Sequence, residues 1–581
     1  MESADSRLDT EILRHALRVA AEEASIVVVK SAHSAMIVEG SDACAGILDR
    51  DARLVALSTA TNLMHASSLR CTLPAVIEDH PLASMQPGDV FVTNDCFRGG
   101  IHANDLLIFR PVFEDAEVAW FTGTLIHVAD LGGASAGGIA PSATDVFAEG
   151  LQLPPVRLVA GGEPVRDVER ILTLNSRTPA RVMGDVQALV AGANVAAARM
   201  QELSERYGPE ALRAAVDRYI EGVERRMRDE LARLEPGVYT GEYRIDDDGL
   251  ELERSPVVRV KVTVGDGRKA DGSVHLDFGE TDDQALGAIN AGFSQALTGA
   301  IYSLRCFVDP SIPMNEGCYR PVRVSFRKGS LLDPHPPAAC GGRVVAVTAA
   351  CEAVLEALSH AHPQHASAAS SVIHPYTLAG LAGADPWLLL SYDYGGVGAR
   401  MGSDGPSATG AFFLGGRNVV PQVEPLEARL PIVVESQRLL ADSGGAGRWR
   451  GGLGLETRIR LLDDTQVAVR NERVRFAPRG RQGGSDGLAG DQYALSEAGS
   501  RKPIPAKTDN HRLSRGDVFV LATSGGGGLG DPTERPAEEV GADVVEGYVS
   551  PECAERDYGV ALNSDRSDVD AEASRQRRAS R

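Results

Sequence analysis

Two runs of strand-type residues, Leu106–Phe113 (LLIFRPVF) and Val118–His127 (VAWFTGTLIH), are joined by only four residues, Glu114-Asp115-Ala116-Glu117. So short a link closes an antiparallel hairpin, and the hairpin fixes which distant residues become neighbours. With the turn centred between residues 115 and 116, Asp105 falls opposite Ile126, next to His127. His102 lies three residues before Asp105, and Asp95 and Asp130 flank the hairpin. Imidazole nitrogen and carboxylate oxygen together are ligands for a first-row divalent ion. Gly99-Gly100 and Gly132-Gly133 let backbones approach closely around these side chains. Two readings stand at this level: a metal site at one end of a sheet, or a set of solvated loop residues.

The chain around the hairpin is 581 residues long, enough for about three to four domains. Its formal charge of −21, from 59 basic and 80 acidic side chains, argues against nucleic acid or an anionic membrane as partner. Eight scattered cysteines without a CxxC pair give neither a zinc ribbon nor a disulfide framework. Reduced thiols and a cytoplasmic setting follow as expectations. The start MESADSRLDTEILRH is too polar for a signal peptide, and no apolar run approaches the roughly 20 residues that span a bilayer.

Periodicity predicts a mixed α/β, or α+β, multi-domain chain. Leu8 to about Lys30 reads as an amphipathic helix, with Asp9 or Thr10 as cap and Ile12, Leu13, Leu17 and Ala20 on its buried face. Ala35–Ser58 reads as strands turning at Asp49-Arg50-Asp51-Ala52, with Asp42 leading into the first. Arg181–Leu234 reads as helices broken near Tyr207-Gly208-Pro209, and further helices are expected near Gln295–Phe307 and Arg343–His362. The expected division is a metal-site region over 1–180, a helical section over 181–236, an α/β region over 237–430 and a β-rich glycine-loop region over 431–562. Residues 563–581 read as a disordered tail.

Other features carry less chemistry. The loops DSGGAGRWRGGLG (442–454) and SGGGGLGD (524–531) lack the Lys-Ser/Thr of a phosphate loop and read as tight turns with positive φ. No ATP motif and no Gly-x-Ser-x-Gly elbow is present. Cys96 reads as a buried small hydrophobe rather than a thiol nucleophile. His360, His362 and His365 lie at a helix end, where capping explains them. His65, in NLMHASS, fits either a catalytic pocket histidine or a satisfied structural one.

The stretch NDCFRGGIHANDLLIFRPVF resembles the NDPYxGGTHLPD signature of the hydantoinase B/oxoprolinase family. The resemblance continues through HVADLGGASAGGIAPSATDVFAEGLQLPPVRL, NEGCYRPVRV, YGGVGARMGSDG, DSGGAGRWRGGLG and TSGGGGLGDPTERPAEEVGADVVEGYVSPECAERDYGV, covering Leu8 to Leu562. It implies a divalent metal (Zn, Mn or Fe) held by His102, Asp105 and His127, and it adds Asp42, whose segment SDACAGILD matches the family's D-F-S-C-A-L-F-D. Asp130 is then expected to orient His127 by accepting its other ring N–H, with His65 as a second catalytic candidate.

The family pattern also implies a division of labour. A separate partner of the hydantoinase A type holds ATP and Mg and phosphorylates the amide or lactam oxygen. The hydantoinase-B-type chain supplies metal-activated water to the phosphorylated carbon, so that C–N cleaves. A hetero-oligomeric cyclic amide hydrolase is thus the first expectation, an ATP-dependent ketone carboxylase the second and a non-catalytic scaffold the third. Cys96 in place of the family's proline, Ala103-Asn104 in place of Leu-Pro and Ala43-Cys44 after Asp42 change the pocket wall but not the expected ligands.

Overall fold

The computed structural model describes residues 4–38, 40–59, 65–138, 140–380, 387–410, 422–563 and 568–579. Among the described residues the chain forms two compact units, one within Met1–Gly241 and Val257–Val354, the other within Glu242–Pro256, Leu355–Phe412 and Gln422–Arg581.

The first unit is built on an antiparallel sheet of seven strands: β1 (Ala43–Asp49), β2 (Leu54–Leu57), β3 (Val90–Thr93), β4 (Asp105–Glu114), β5 (Glu117–His127), β6 (Val156–Ala160) and β7 (Glu163–Pro164). Their order is β2-β1-β5-β4-β3-β6-β7, so the β1–β2 hairpin lies beside the β4–β5 hairpin. The helices that matter here are α1 (Ala4–Ser31), α2 (Ala66–Asp79), α3 (Pro179–Tyr207), α4 (Pro209–Leu231), α5 (Phe293–Val308) and α6 (Val344–Ala361). Helix α1 starts before the expected cap. Leu13, Leu17 and Ala20 are buried as expected, but Ile12 lies just off that stripe and is 46% exposed. α3 and α4 meet at Gly208, whose φ of 83° a side-chain-bearing residue adopts poorly.

Helices α1, α3 and α4 cover one sheet face: Leu13 and Leu17 meet Ile47, Val55 and Trp120, and Val186 and Leu189 meet Leu106, Ile108 and Ile126. Side chains alternate along each strand, so residues 105, 107, 125 and 127 project from the other face. There Leu69 of α2 lies over Gly46 and Gly123, where an added Cβ would sit 3.2 and 2.9 Å from it.

The β4–β5 turn is where expectation and structure differ by one residue. Glu114 pairs with Glu117 and Phe113 with Val118, but a bulge between Val112 and Phe113 shifts the rest, so Asp105 pairs with His127 rather than Ile126. One step of register flips a strand's faces. Without the bulge Asp105 would share a face with Ile126; with it, Asp105 and His127 point the same way.

In the second unit, a sheet containing Ile373–Gly380, Trp387–Tyr394, Thr465–Arg470 and Lys507–Leu513 packs on one containing Ile432–Leu439, Leu455–Leu461, Asp491–Leu495, Arg501–Pro503 and Val518–Ala522. Tyr376, Leu378 and Val467 of the first meet Ile459, Phe519 and Leu521 of the second. The glycine loops correct the expectation of tight turns. Positive φ occurs at Gly530 (77°) but not at the glycines of 444–454 or 525–528. These segments instead run side by side and bond backbone to backbone, as in Gly526 N to Gly452 O (2.8 Å), Gly452 N to Val397 O (2.9 Å) and Gly445 N to Gly526 O (2.8 Å).

The 563–581 stretch, expected to be disordered, carries order in its described part. Val569–Asp570 pairs with Ala561–Leu562, and the helix Ala571–Ala579 buries Ser574, whose hydroxyl accepts from Ala561 N. Helix α6 is long and apolar enough to cross a membrane by length and composition, though most of it is buried inside the protein. All eight cysteines are free thiols.

Between the two sheets of the second unit, Asp393 is fully buried opposite His374, and neither carboxylate oxygen has a well-formed hydrogen bond. Burial pushes its carboxyl up to about 6, with only partial relief from the Thr457 hydroxyl. A raised acid contributes most to stability below its unfolded pKa, and that contribution is lost as pH rises through the folded value. The second unit is therefore expected to weaken between about pH 4 and 7 on this account. Asp393→Asn should remove the dependence and stabilise the unit at pH 8 by about 1–3 kcal/mol. Denaturant titrations of both proteins at pH 5 and pH 8 check this.

Candidate metal centre

The loop before β4 is shaped to deliver His102. Asn94 donates through Nδ2 to the carbonyls of Ala103 (2.6 Å) and Leu151 (2.8 Å) and accepts from Leu153 N (2.7 Å). Gly99, at φ 108°, lies so close to helix α2 that a Cβ there would sit 2.5 Å from the Cys71 backbone. His102 then reaches back over the start of β4, with its Nε2 3.1 Å from Asp105 Oδ2. Asn104 extends the sheet by accepting from Val128 N (2.8 Å) at its own carbonyl.

Asp105 is fully buried and serves three cationic or potentially cationic groups. His127 Nδ1 lies 3.1 Å from Oδ1, and the Arg343 Nη2 donates to Oδ2 at 2.9 Å. Burial acts to raise this carboxyl, but His102, Arg343 and His127 together hold it far below the usual carboxylate range. Arg343 precedes α6 and also donates through Nε to Gln295 Oε1 of α5 (3.3 Å).

Asp42 continues the β1 register one residue beyond the Ala43–Ile126 pair, which brings it beside His127. His65, at the N-cap of α2, places Nε2 3.1 Å from Asp42 Oδ1. Burial pushes the Asp42 carboxyl up, the hydrogen bond and charge of His65 pull it below the ordinary value, and Asp105 and His127 act on it in opposite senses. The structure thus brings Asp42, His65, His102, Asp105 and His127 to one end of the sheet, on the face covered by α2.

Asp130 lies elsewhere. Its carboxylate accepts from Gly132 N (3.1 Å), Gly137 N (3.1 Å), Arg177 N (2.8 Å) and Arg177 Nη1 (2.9 Å), so it pins the glycine-rich loop. It takes no hydrogen bond from His127, whose Nε2 is buried without a partner. The expected orienting role is therefore corrected: the carboxylate that meets His127 is Asp105. Asp95 caps the short turn Cys96–Arg98 by accepting from Phe97 N, and Cys96 is buried against Val146 and Cys340. The rings of His362 and His365 meet at a tilt of 48°, and the two belong to no group of three metal-type ligands among the described residues.

The donor set fits a divalent ion. One ligand atom each from His102, Asp105 and His127 lies within 4.8 Å of the others. An ion with bonds near 2.1 Å holds adjacent ligand atoms about 3.0–3.4 Å apart. The two 3.1 Å His–Asp separations satisfy that, and the one to His127 is also a hydrogen bond. With neutral imidazoles, Asp42, Asp105 and Arg343 leave one net negative charge, which a divalent cation reverses to one positive. The unpartnered His127 Nε2 and His65 Nδ1 are polar atoms in search of a ligand, a water or substrate.

Arg343 and Gln295 escaped the sequence reading because Arg343 is 238 residues from Asp105. One signal was available. A cation just before the N-terminus of an apolar helix opposes the helix dipole, so Arg343 needed another partner.

The family described as Hydantoinase B/oxoprolinase matches residues 6–532. The chain is 31% identical over 501 residues to the B subunit of a putative D-/L-hydantoinase from Pseudomonas sp. strain NS671, covering 84% of this chain and 83% of that one. It is 29% identical over 580 residues to the beta subunit of the caprolactamase of Pseudomonas jessenii, covering 95% of each. The crystal structure of ATP-dependent caprolactamase from that organism superimposes with a TM-score of 0.90 at 26% identity over 99% of both chains. An acetone carboxylase structure shares the fold, with a TM-score of 0.87 at 21% identity, over 100% of this chain and 84% of the other.

Proposed function

The chain belongs to the Hydantoinase B/oxoprolinase family, and from that premise we propose that it is the metal-bearing component of an ATP-dependent cyclic amide hydrolase. The observation that carries this reading is the buried His102–Asp105–His127 group at the strand ends of the shared fold. The names of the relatives, each one component of a hydantoinase or a caprolactamase, support a partner chain, here an A-type ATPase that phosphorylates the substrate oxygen.

His102, Asp105 and His127, with Asp42 beside them, would hold the ion, of which Zn, Mn and Fe suit the donors. When bound, such an ion lowers the pKa of a water and stabilises developing negative charge on oxygen. The protein's own residues do the rest. Arg343 fixes the Asp105 carboxylate and keeps it ionised. His65, hydrogen-bonded to Asp42, would hold or pass a proton at its Nδ1. Leu69 of α2 covers the same sheet face at Gly46 and Gly123. His65→Gln is expected to lower turnover about a hundredfold while leaving metal content intact. Steady-state kinetics with elemental analysis of the same sample check it, and unchanged turnover would make His65 structural.

The direct test combines the chain with an A-type ATPase partner and measures ADP release against hydantoins, lactams and ketones. ADP release coupled to ring opening is expected. ADP release with a ketone only in the presence of bicarbonate would replace the hydrolase by a carboxylase. Full activity of the His102→Ala chain would leave a scaffold.

A further inference from the structure

We infer that the first unit carries a second ligand site, a pocket for a phosphate group, separate from the His102–Asp105–His127 group. A cavity of about 330 Å³ lies between α1, the end of β2 and residues 310–314. Its lining includes Arg14, Arg18, Arg305 and Tyr219, and no carboxylate. In a chain of net charge −21 this is a local reversal of sign.

The arginines are short of counter-charge. Arg305 is 7% exposed, and its Nε and Nη2 donate to the carbonyls of Ile312 and Pro310 at 2.5 Å each. Among the described residues it makes no ion pair. Carbonyl dipoles offset part of the cost of burying a guanidinium, but an anion offsets far more. Arg18 meets the neutral acceptor His15 Nδ1 (3.1 Å). Arg14 holds Glu11 through Nη2 (2.6 Å), but its Nε is buried without a partner. Burial pushes the Tyr219 phenol up to about 12 against the pull of Arg14 and Arg18, so the hydroxyl keeps its proton and donates. Three guanidiniums and a hydroxyl match a phosphate dianion, whose oxygens accept forked pairs of N–H bonds. A single carboxylate would leave most of that charge unanswered.

The position adds weight. Leu57 pairs with Gly46, and Ser58 N donates to Ala45 O (2.8 Å), so the Leu57 and Thr59 that line the cavity sit at the end of β2 beside the start of β1. Asp42 leads into that same end. The phosphate site and the candidate metal centre therefore share one end of the sheet. The assignment stands on the cavity and does not depend on the proposed reaction.

Equilibrium dialysis of the full chain against labelled inorganic phosphate, at constant ionic strength with methyl phosphate or acetate as competitor, tests it. Saturable binding is expected, insensitive to equal acetate. Arg18→Gln should weaken it about tenfold, and adding Arg14→Gln should abolish it. Arg18 is exposed and Arg14 half-exposed, so neither change removes a core side chain, and unchanged circular dichroism confirms the fold. Displacement by methyl phosphate assigns the site to a phosphate monoester, and resistance to displacement assigns it to free phosphate; both support the site. No saturable binding at millimolar phosphate, binding unaltered in the double variant, or equal competition by acetate would overturn it.

Discussion

Asp105→Ala is expected to lose the divalent ion and to destabilise the metal-free first unit by about 3–5 kcal/mol. The size follows from what the carboxylate holds. Asp105 is completely buried and meets His102, His127 and Arg343 at 3.1, 3.1 and 2.9 Å. Alanine removes the only carboxylate, among the described residues, that pairs with a guanidinium 7% exposed, and leaves that charge uncompensated. Asp105→Asn keeps the shape and one acceptor, so it should recover part of the stability but not the ion. Urea titration of chelator-treated protein, followed by a probe in the first unit, reads the stability. A loss under about 1 kcal/mol would mean that Arg343 is paired elsewhere.

Gly526→Ala is the second large effect, expected to prevent the glycine segments of the second unit from assembling. A Cβ at Gly526 would sit 2.1 Å from Val397 O and 2.7 Å from Gly398 N. These are backbone atoms of a neighbouring segment and cannot rotate away. Relief requires parting segments joined by Gly526 N to Gly452 O and Gly445 N to Gly526 O. The cost should exceed the roughly 1–3 kcal/mol typical of overpacking. Gly499 provides the control: a Cβ there meets nothing within 4 Å, and only its φ of 79° opposes the change. Gly499→Ala should cost about 1 kcal/mol. Comparing the soluble yield and urea midpoints of the two variants checks the contrast, and equal behaviour would sink the close-approach explanation.

The hairpin was legible in the sequence because a four-residue link between two strand runs admits few alternatives. Its register was missed by one because a bulge between Val112 and Phe113 leaves no trace in an alternating pattern of large apolar residues. The pairing of β1 with β5 is non-local, so Asp42 reached the candidate site through family resemblance rather than spacing. Asp130 was misplaced for a related reason: proximity in sequence suggested His127, while Arg177 and two glycine amides claim its oxygens. The glycine loops were read by the commonest use of glycine, positive φ, when what mattered was the missing Cβ. The tail was judged by its charge, although Val569 and Ser574 suffice to anchor a short strand and helix.

Elemental analysis of the purified chain alongside its His102→Ala variant is the most direct test of the metal centre. The geometry predicts about one Zn, Mn or Fe per wild-type chain and none in the variant, with both proteins folded. A metal-free wild type, or a variant that keeps its ion, would contradict it.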